Sequence, residues 1–282
     1  MKNVLVTGSS GFIGAHLSSK LSKEHKYNIV KMDRSFGDIT SPTTWSNIPK
    51  CEIVIHLAGK TFVPDSWTDP EGFINTNVIG TNLVLNYCRK NNSKLIFLSS
   101  YLYGNPKKIP IDEKEPVKTT NPYTLSKKIS EDLCDFYSRN YGVDVLILRP
   151  FNVYGANQKE HFLIPSIIKQ INLKKGIKVK DLKPKRDFIY VKDLVAAIIK
   201  TIELKINFEV INIASGTSHS VAEVIEEIQK VKGTNFKVKS TEEIRSDEIM
   251  DTKANIKKAK TLLNWVPQWS FEKAIKDIHD SK

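Results

Sequence analysis

The sequence predicts an α/β protein with a doubly wound parallel sheet and a smaller lobe after it. Three observations predict that class. Apolar runs of strand length alternate with helical patterns from Asn3 to Ala214. The first run passes into a helix through a glycine-rich turn, Gly8-Ser9-Ser10-Gly11-Phe12-Ile13-Gly14. The run Cys51–Leu57 is apolar almost throughout, as expected of a strand covered on both faces.

In order, Asn3–Thr7 reads as a strand, followed by the glycine turn and a helix to about Lys23. Such a turn lets backbone N–H groups and a helix N-terminus approach a pyrophosphate, so Gly8, Gly11, Phe12, Ile13 and Gly14 are candidate dinucleotide contacts. Its spacing, G-x-x-G-x-x-G, is a variant of the G-x-G-x-x-G fingerprint. The next strand, Asn28–Met32, ends at Asp33, 19 residues after Gly14, where an acid can take ribose hydroxyls. Arg34 follows and could instead receive a 2′-phosphate. NAD(H) is expected from Asp33, and NADP(H) stays open through Arg34.

Only four residues separate Asp33 from Asp38-Ile39, before Ser41 and Pro42 open a short helical segment. The strand Cys51–Leu57 ends in Ala58-Gly59-Lys60, small enough for close backbone approach to a cofactor. Asn75–Lys90 is expected to be a helix with Val78, Leu83, Val84, Tyr87 and Cys88 on its apolar positions. Lys94–Leu98 is a strand, and Ser99 falls just past its carboxyl end, where sites gather in open parallel sheets. Val143–Leu148 is a further strand, ending at Arg149-Pro150.

Between those strands stands Tyr123-Thr124-Leu125-Ser126-Lys127. Asn121 suits an N-cap and Pro122 the first helical position, so the stretch opens a helix. Residues four apart share a helix face, and a lysine beside a phenol favours the phenolate. Tyr123 is thus a candidate general acid or base. With 9 Tyr and 37 Lys, three Tyr-x-x-x-Lys pairs occur in the chain. Tyr27…Lys31 enters a predicted strand, and Tyr103…Lys107 contains Gly104 and Pro106, so only Tyr123…Lys127 has a helical context.

The rest predicts a helix at Leu163–Ile171, a strand at Asp187–Val191, a helix at Lys192–Glu203, a strand at Glu209–Ala214 and a helix at Ser220–Val231 capped by Ser220. Two more helices are expected near Ala254–Leu263 and Ser270–His279. The expected domains are 1–154, with about 187–214 crossing back to it, and a second lobe of 155–186 and 215–282.

At 282 residues, 40% hydrophobic and 26% charged, the composition is that of a soluble globular protein. No apolar run approaches the ~20 residues of a membrane span. The chain enters its first strand with no charged-then-apolar leader, and its three cysteines, Cys51, Cys88 and Cys134, read as buried free thiols in a reducing compartment. A cytoplasmic protein is expected. The net charge of +12 comes from dispersed lysines with only 6 arginines, a solvated surface and no nucleic-acid stripe. The six histidines and three cysteines show no metal-ligand spacing, so no metal is expected, and His16 and His56 read as packing residues.

Taken together, Thr7-Gly8-x-x-Gly11-x-x-Gly14, Asp33, Asp38-Ile39, His56-Leu57-Ala58-Gly59, Asn77, Ser99, Tyr123-x-x-x-Lys127, Arg149-Pro150-Phe151-Asn152-Val153-Tyr154-Gly155 and Arg186-Asp187-Phe188-Ile189-Tyr190-Val191 resemble the extended short-chain dehydrogenase/reductase family, in its nucleotide-sugar epimerase, dehydratase and ketoreductase branch. The likeness extends to the Leu263-Asn264-Trp265-x-Pro267 tail. The resemblance implies a Rossmann-type sheet, a nucleotide-diphosphate sugar substrate and a homodimer. It makes Ser99 the hydrogen-bond partner of the reacting sugar oxygen and Tyr123 the proton donor or acceptor. Lys127 would hold the nicotinamide ribose and depress the Tyr123 pKa. The dinucleotide would also meet Leu57, Ala58, Gly59, Lys60, Asn77 and Pro150. Ser100, Tyr101, Asn152, Arg186 and Arg245 would face the substrate, the last three at its diphosphate.

Two departures matter. Dehydratases of this branch carry Asp-Glu where this chain has Ser100-Tyr101, so nothing is placed to eliminate water. Phe162 stands where the epimerases often carry Asn. Three classes remain: a 4-ketoreductase of a nucleotide-linked 4-keto-6-deoxyhexose, a nucleotide-sugar C4 epimerase, and a non-catalytic dinucleotide-binding sensor. The sensor is disfavoured by the presence of Ser99, Tyr123 and Lys127. Between the other two, the compressed Asp33–Asp38 segment favours the reductase.

Overall fold

The computed structural model describes residues 1–174, 176–243 and 248–280. The chain divides into two compact units. One gathers Met1–Gly104, Pro116–Pro150 and Val195–Ile211; the other gathers Asn105–Glu115, Phe151–Leu194 and Asn212–Lys282.

The elements follow in the order β1 (Lys2–Thr7), α1 (Phe12–Leu21), β2 (Tyr27–Met32), α2 (Pro42–Ser46), β3 (Ile53–His56), α3 (Val63–Thr68) and α4 (Pro70–Phe73). A π-helical segment, Ile74–Ile79, then runs into α5 (Gly80–Asn91), followed by β4 (Lys94–Leu98), α6 (Pro122–Tyr141) and β5 (Val145–Pro150). Next come β6 (Asn152–Tyr154), α7 (Leu163–Asn172), β7 (Ile177–Val179), β8 (Lys185–Tyr190), α8 (Val191–Ile202) and β9 (Phe208–Ile213). The last are β10 (Ser218–Ser220), α9 (Val221–Lys232), β11 (Val238–Ser240), α10 (Lys257–Leu263) and α11 (Phe271–Asp280).

The central sheet has six strands in the order β2-β1-β3-β4-β5-β9, the doubly wound arrangement that alternating strands and helices predict. The β1–β2, β1–β3, β3–β4 and β4–β5 pairs are parallel, with Val4 opposite Ile29 and Ile53, and Phe97 opposite His56 and Ile147. The middle strands are apolar on both faces because both are covered. On one face Leu5, Val54, Leu95, Phe97, Val145 and Ile147 pack with Val84, Leu85 and Cys88 of α5 and with Cys134 and Tyr137 of α6. The three cysteines are free thiols buried there, as their sequence setting predicts. No described helix is long and apolar enough to cross a membrane.

The second unit holds a three-stranded sheet, β10-β8-β6, and a two-stranded one, β11-β7. Its division from the first differs from the expected 1–154 with 187–214. Residues 152–154 pair in parallel with β8, which places both strands in the second unit. The return to the first unit spans Val195–Ile211, and the segment Asn105–Glu115 belongs to the second. Ile111 explains that membership: it is fully buried, bridges to Ala254, donates its N–H to Lys253 O and accepts from Asn255 N. The same bridge delays the helix expected from Ala254, which starts at Lys257.

Candidate active site

The start of α6 is built as its sequence indicates. Asn121 Oδ1 accepts from Thr124 N at 2.9 Å and the Thr124 hydroxyl accepts from Asn121 N, while Pro122 occupies the first turn. This capping box sets the angle at which the helix presents Tyr123 and Lys127. Both side chains are buried, at 8% and 6% exposure. Lys127 Nζ donates to Leu98 O, the last carbonyl of β4, at 2.6 Å and lies 4.4 Å from the Phe97 ring centroid. Burial pulls its pKa down to about 8, against the nearby Glu131.

The expectation that Lys127 depresses the Tyr123 pKa is corrected. Burial pushes the Tyr123 phenol up, and the opposing influence is the Ser100 hydroxyl bonded to it. Desolvation outweighs a single neutral hydrogen bond, so the phenol is neutral at ordinary pH. The Phe73 ring meets Tyr123 edge-on, with centroids 6.2 Å apart.

Ser99 follows β4 with its N–H on Leu148 O at 2.8 Å. Its side chain is buried, and its Oγ has no hydrogen-bond partner among the described residues. Buried hydroxyls are almost always bonded, so an orphaned one marks a place for a ligand oxygen. Tyr101 is otherwise engaged: its hydroxyl donates to Gly104 O at 2.6 Å within its own loop.

The glycines of the first turn divide the work that dinucleotide loops require. Gly8 has φ +68°, and a Cβ there would stand 2.8 Å from Ala58 N. At Gly14 a Cβ would fall 2.1 Å from Gly8 O, so helix and turn touch. Gly11 meets only Gly8 O, at 3.2 Å, and leaves its outer side open. It caps α1 without a side-chain acceptor, so no cap side chain takes the amides of Phe12, Ile13 and Gly14. A tight turn, an open backbone and a close helix contact are the features that admit a pyrophosphate, and the residues fit that group.

Asp33 closes β2, accepts from Ser35 N at 3.0 Å and Ser35 Oγ at 2.6 Å, and is held below the usual carboxylate range by those bonds. Arg34 is exposed beside it. Asp38 Oδ1 accepts from Thr40 N and Oγ1, both at 2.8 Å, and Ile39 packs toward Gly80. Leu57 and Ala58 follow β3, with Ala58 N on Thr7 Oγ1 at 3.2 Å. His56 sits between Thr7 and Thr81, and burial lowers its pKa to about 3, so it packs as a neutral ring.

Asn77, in the π-helical segment, ties the Lys60 loop to α6. It accepts from Lys60 N at 2.8 Å and donates to Lys60 O and Ser126 Oγ, which leaves it as a support of the site's backbone. A Cβ on Gly59 would stand 2.9 Å from that amide oxygen. Lys60 Nζ is ion-paired with Asp69, the N-cap of α4. Pro150 is buried at the end of β5. Phe73 and Asp69 escaped the sequence reading, although Asp69-Pro70 is a helix-start signal that would have located α4.

In the second unit, Asn152 Nδ2 donates to Asp187 O at 3.3 Å. Asn152 stands opposite Phe188, two residues from Arg186 on β8, so Asn152 and Arg186 lie on one sheet face. Arg186 is paired with Glu248 and with the backbone carbonyls of Lys185 and Ile249. Glu248 carries no local signal and was missed. Arg245 lies outside the described residues.

Known proteins resemble this chain over nearly its whole length. A family model described as the NAD dependent epimerase/dehydratase family matches residues 4–214. GDP-6-deoxy-D-mannose reductase of Pseudomonas aeruginosa is 29% identical over 98% of this chain and 96% of its own length. A putative UDP-glucose 4-epimerase of Methanocaldococcus jannaschii is 32% identical over the same shares. The solved structure of RMD from Pseudomonas aeruginosa, complexed with NADPH, superposes with a TM-score of 0.92 at 26% identity, covering 99% of this chain and 98% of that one.

Proposed function

The chain belongs to the NAD dependent epimerase/dehydratase family, and from that premise we propose that it is a 4-ketoreductase acting on a nucleotide-linked 4-keto-6-deoxyhexose. It is an NAD(P)-dependent enzyme of the extended short-chain dehydrogenase/reductase type, among relatives named as nucleotide-sugar reductases and epimerases.

The observation that carries the choice is the short connection after β2. Between Met32 and β3 there is one five-residue helix, α2, and it starts only at Pro42. Asp33 and Asp38 therefore stand on a surface turn with Arg34 and Phe36 exposed. The resemblance implies that epimerases normally place a helix and a further strand between these two acids. An open adenosine edge suits a reductase, which must exchange its oxidised cofactor in every cycle. It suits less well an epimerase, which returns its hydride and keeps its cofactor.

The state of Tyr123 fits the proton step of a reduction. Bound reduced nicotinamide would supply a hydride to the sugar carbonyl carbon. A neutral phenol gives its proton to the carbonyl oxygen as charge develops there, and the free Ser99 Oγ holds that oxygen. Asp33, Gly8, Gly11 and Gly14 would hold the dinucleotide, with NAD(H) preferred; Asn152 and Arg186 would take the substrate diphosphate. A soluble cytoplasmic homodimer completes the proposal.

The test is direct. Purified protein should carry little bound NAD and should oxidise NADH or NADPH stoichiometrically with a nucleotide 4-keto-6-deoxyhexose. The second reading, a C4 epimerase, has the 32%-identical relative in its favour. Near-stoichiometric NAD in the purified protein, with interconversion of gluco and galacto sugars in the absence of added cofactor, would decide for it.

A further inference from the structure

His56 stands in a chain of hydrogen bonds whose protons can be placed. Thr81 Oγ1 lies 2.5 Å from the Asn77 carbonyl oxygen, a separation that two oxygens reach only with a hydrogen between them, so the Thr81 hydroxyl donates there. His56 Nε2, 3.0 Å from the same hydroxyl, therefore meets a lone pair, and that ring nitrogen carries the hydrogen. Burial keeps the ring neutral, with its pKa lowered to about 3, which leaves Nδ1 bare. Nδ1 then accepts from the Thr7 hydroxyl at 2.8 Å, and the Thr7 oxygen turns a lone pair to Ala58 N–H at 3.2 Å. Both hydroxyls donate in the same direction, from Thr7 at the end of β1 through the ring to the main chain of the π-helical segment. Thr7, His56, Thr81 and Asn77 are all buried.

The two ends of this chain meet different parts of the site. Ala58 N, held by Thr7, is the atom that a Cβ on Gly8 would strike, so this end fixes the loop after β3 against the glycine turn. At the other end the Asn77 carbonyl also accepts from Ser130 Oγ at 2.9 Å, and the Asn77 side chain donates to Ser126 Oγ at 2.8 Å. Ser126 Oγ in turn donates to Tyr123 O at 2.7 Å.

We propose that His56 is a positioning residue with two separable functions. Through Thr7 it holds the loop that receives the dinucleotide, and through Thr81 and Asn77 it holds the helix that presents Tyr123. The inference rests on the reading of the glycine turn as the dinucleotide site and of Tyr123 as the proton donor. A neutral imidazole accepts at one nitrogen and donates at the other on a rigid ring, so it can join two hydroxyls of one polarity across a fixed span. Packing alone would need neither nitrogen: the neighbouring Phe97 ring, 5.6 Å away, would be served as well by a phenylalanine.

Amide side chains divide the two ends. In His56→Asn the amide oxygen takes the place of Nδ1 and still accepts from Thr7, while nothing reaches Thr81. In His56→Gln the amide nitrogen takes the place of Nε2 and still donates to Thr81, while Thr7 loses its acceptor. Binding of NADH and NADPH to the full chain is measured by calorimetry. Turnover is measured at saturating cofactor with the nucleotide 4-keto-6-deoxyhexose that the wild type reduces fastest. Binding of GDP and UDP and thermal melting serve as controls. His56→Asn should lose about 5- to 20-fold in kcat with the smaller loss in cofactor affinity, and His56→Gln should show the reverse split. His56→Phe should lose both, and Thr81→Val should copy His56→Asn and add nothing to it. Binding of GDP and UDP should be unchanged throughout.

Equal losses of affinity and kcat in the Asn and Gln variants, in step with their melting temperatures, would mark His56 as merely structural and overturn the proposal. So would wild-type behaviour of His56→Phe. Should the variants melt too low to assay, nitrogen-15 spectra of the histidine-labelled wild type decide: the ring in contact with Phe97 must be the neutral Nε2–H form, and an Nδ1–H ring would overturn the chain. Absence of NADH and NADPH binding or of turnover in the wild type, or a Tyr123→Phe that keeps the wild-type rate, would remove the reading of the site and the inference with it.

Discussion

Replacing Tyr123 by Phe removes one hydroxyl and leaves the Phe73 contact and the capped helix in place. Turnover should fall by about 10²–10⁴-fold, the usual worth of a positioned general acid, with cofactor affinity nearly intact. A variant that keeps most of the wild-type rate would mean that another group moves the proton. Asp33 is ionised at every working pH because Ser35 holds its pKa down, so it should repel a 2′-phosphate. Asp33→Ser should therefore shift the ratio of specificity constants toward NADPH, and an unmoved ratio would show that Asp33 does not meet the ribose. Lys127 gives a pH-dependent prediction. Its folded pKa of about 8 lies below the unfolded value of 10.5, so the folded state holds that proton more weakly. Stability present above 10.5 is lost as pH falls through 8, a cost of about 3 kcal/mol at neutral pH before the Leu98 hydrogen bond offsets part of it. Lys127→Met should melt higher than wild type at pH 7, lose that advantage near pH 10.5 and be almost inactive. A Met variant that melts lower at pH 7 would contradict the argument.

Among elements, α6 carries the proposed catalytic pair Tyr123 and Lys127 and is fastened from two sides. Its N-terminus is set by the Asn121 capping box, and its middle by Glu131, which takes Arg149 Nε at 2.9 Å and Nη2 at 2.5 Å. Arg149 reaches on to the Tyr103 hydroxyl at 3.0 Å, so β5, α6 and the segment after Ser99 share one buried ion pair. Such a pair contributes little net stability when made, but removing one partner leaves an uncompensated buried charge. Glu131→Gln should cost about 3–5 kcal/mol in urea unfolding, and the double change Glu131→Gln/Arg149→Met should recover part of it. A single-variant loss under about 1 kcal/mol would show that water reaches the pair.

For the whole molecule, the net charge of +12 is the relevant property. Both the dinucleotide and the proposed sugar nucleotide are anions, and a positive field raises their encounter rate. Between about 10 mM and 500 mM salt the Debye length shrinks from roughly 30 Å to a few Å, so kcat/KM should fall several-fold while kcat changes little. A salt-independent kcat/KM would show that the lysines act only as a solvated surface.

The sequence by itself determined the parts whose causes are local. A positive-φ Gly8, a helix packed against the turn at Gly14 and an acid at the end of β2 are written within 33 residues, and the Asn121-Pro122 start of α6 is a short-range signal. Strand β4 fell where its apolar run predicts because parallel strands covered on both faces leave a continuous trace. Tertiary structure alone decided what depends on distant partners. Lys127 turns to Leu98 O, 29 residues away, and burial raises the pKa of Tyr123, which the i,i+4 spacing was expected to lower. Ile111 joins the second unit through Lys253 and Asn255, and Arg186 finds Glu248 across 62 residues. Desolvation, and the closing of long loops onto one partner among many carboxylates, are properties of the packed chain; no residue's neighbours in sequence report them.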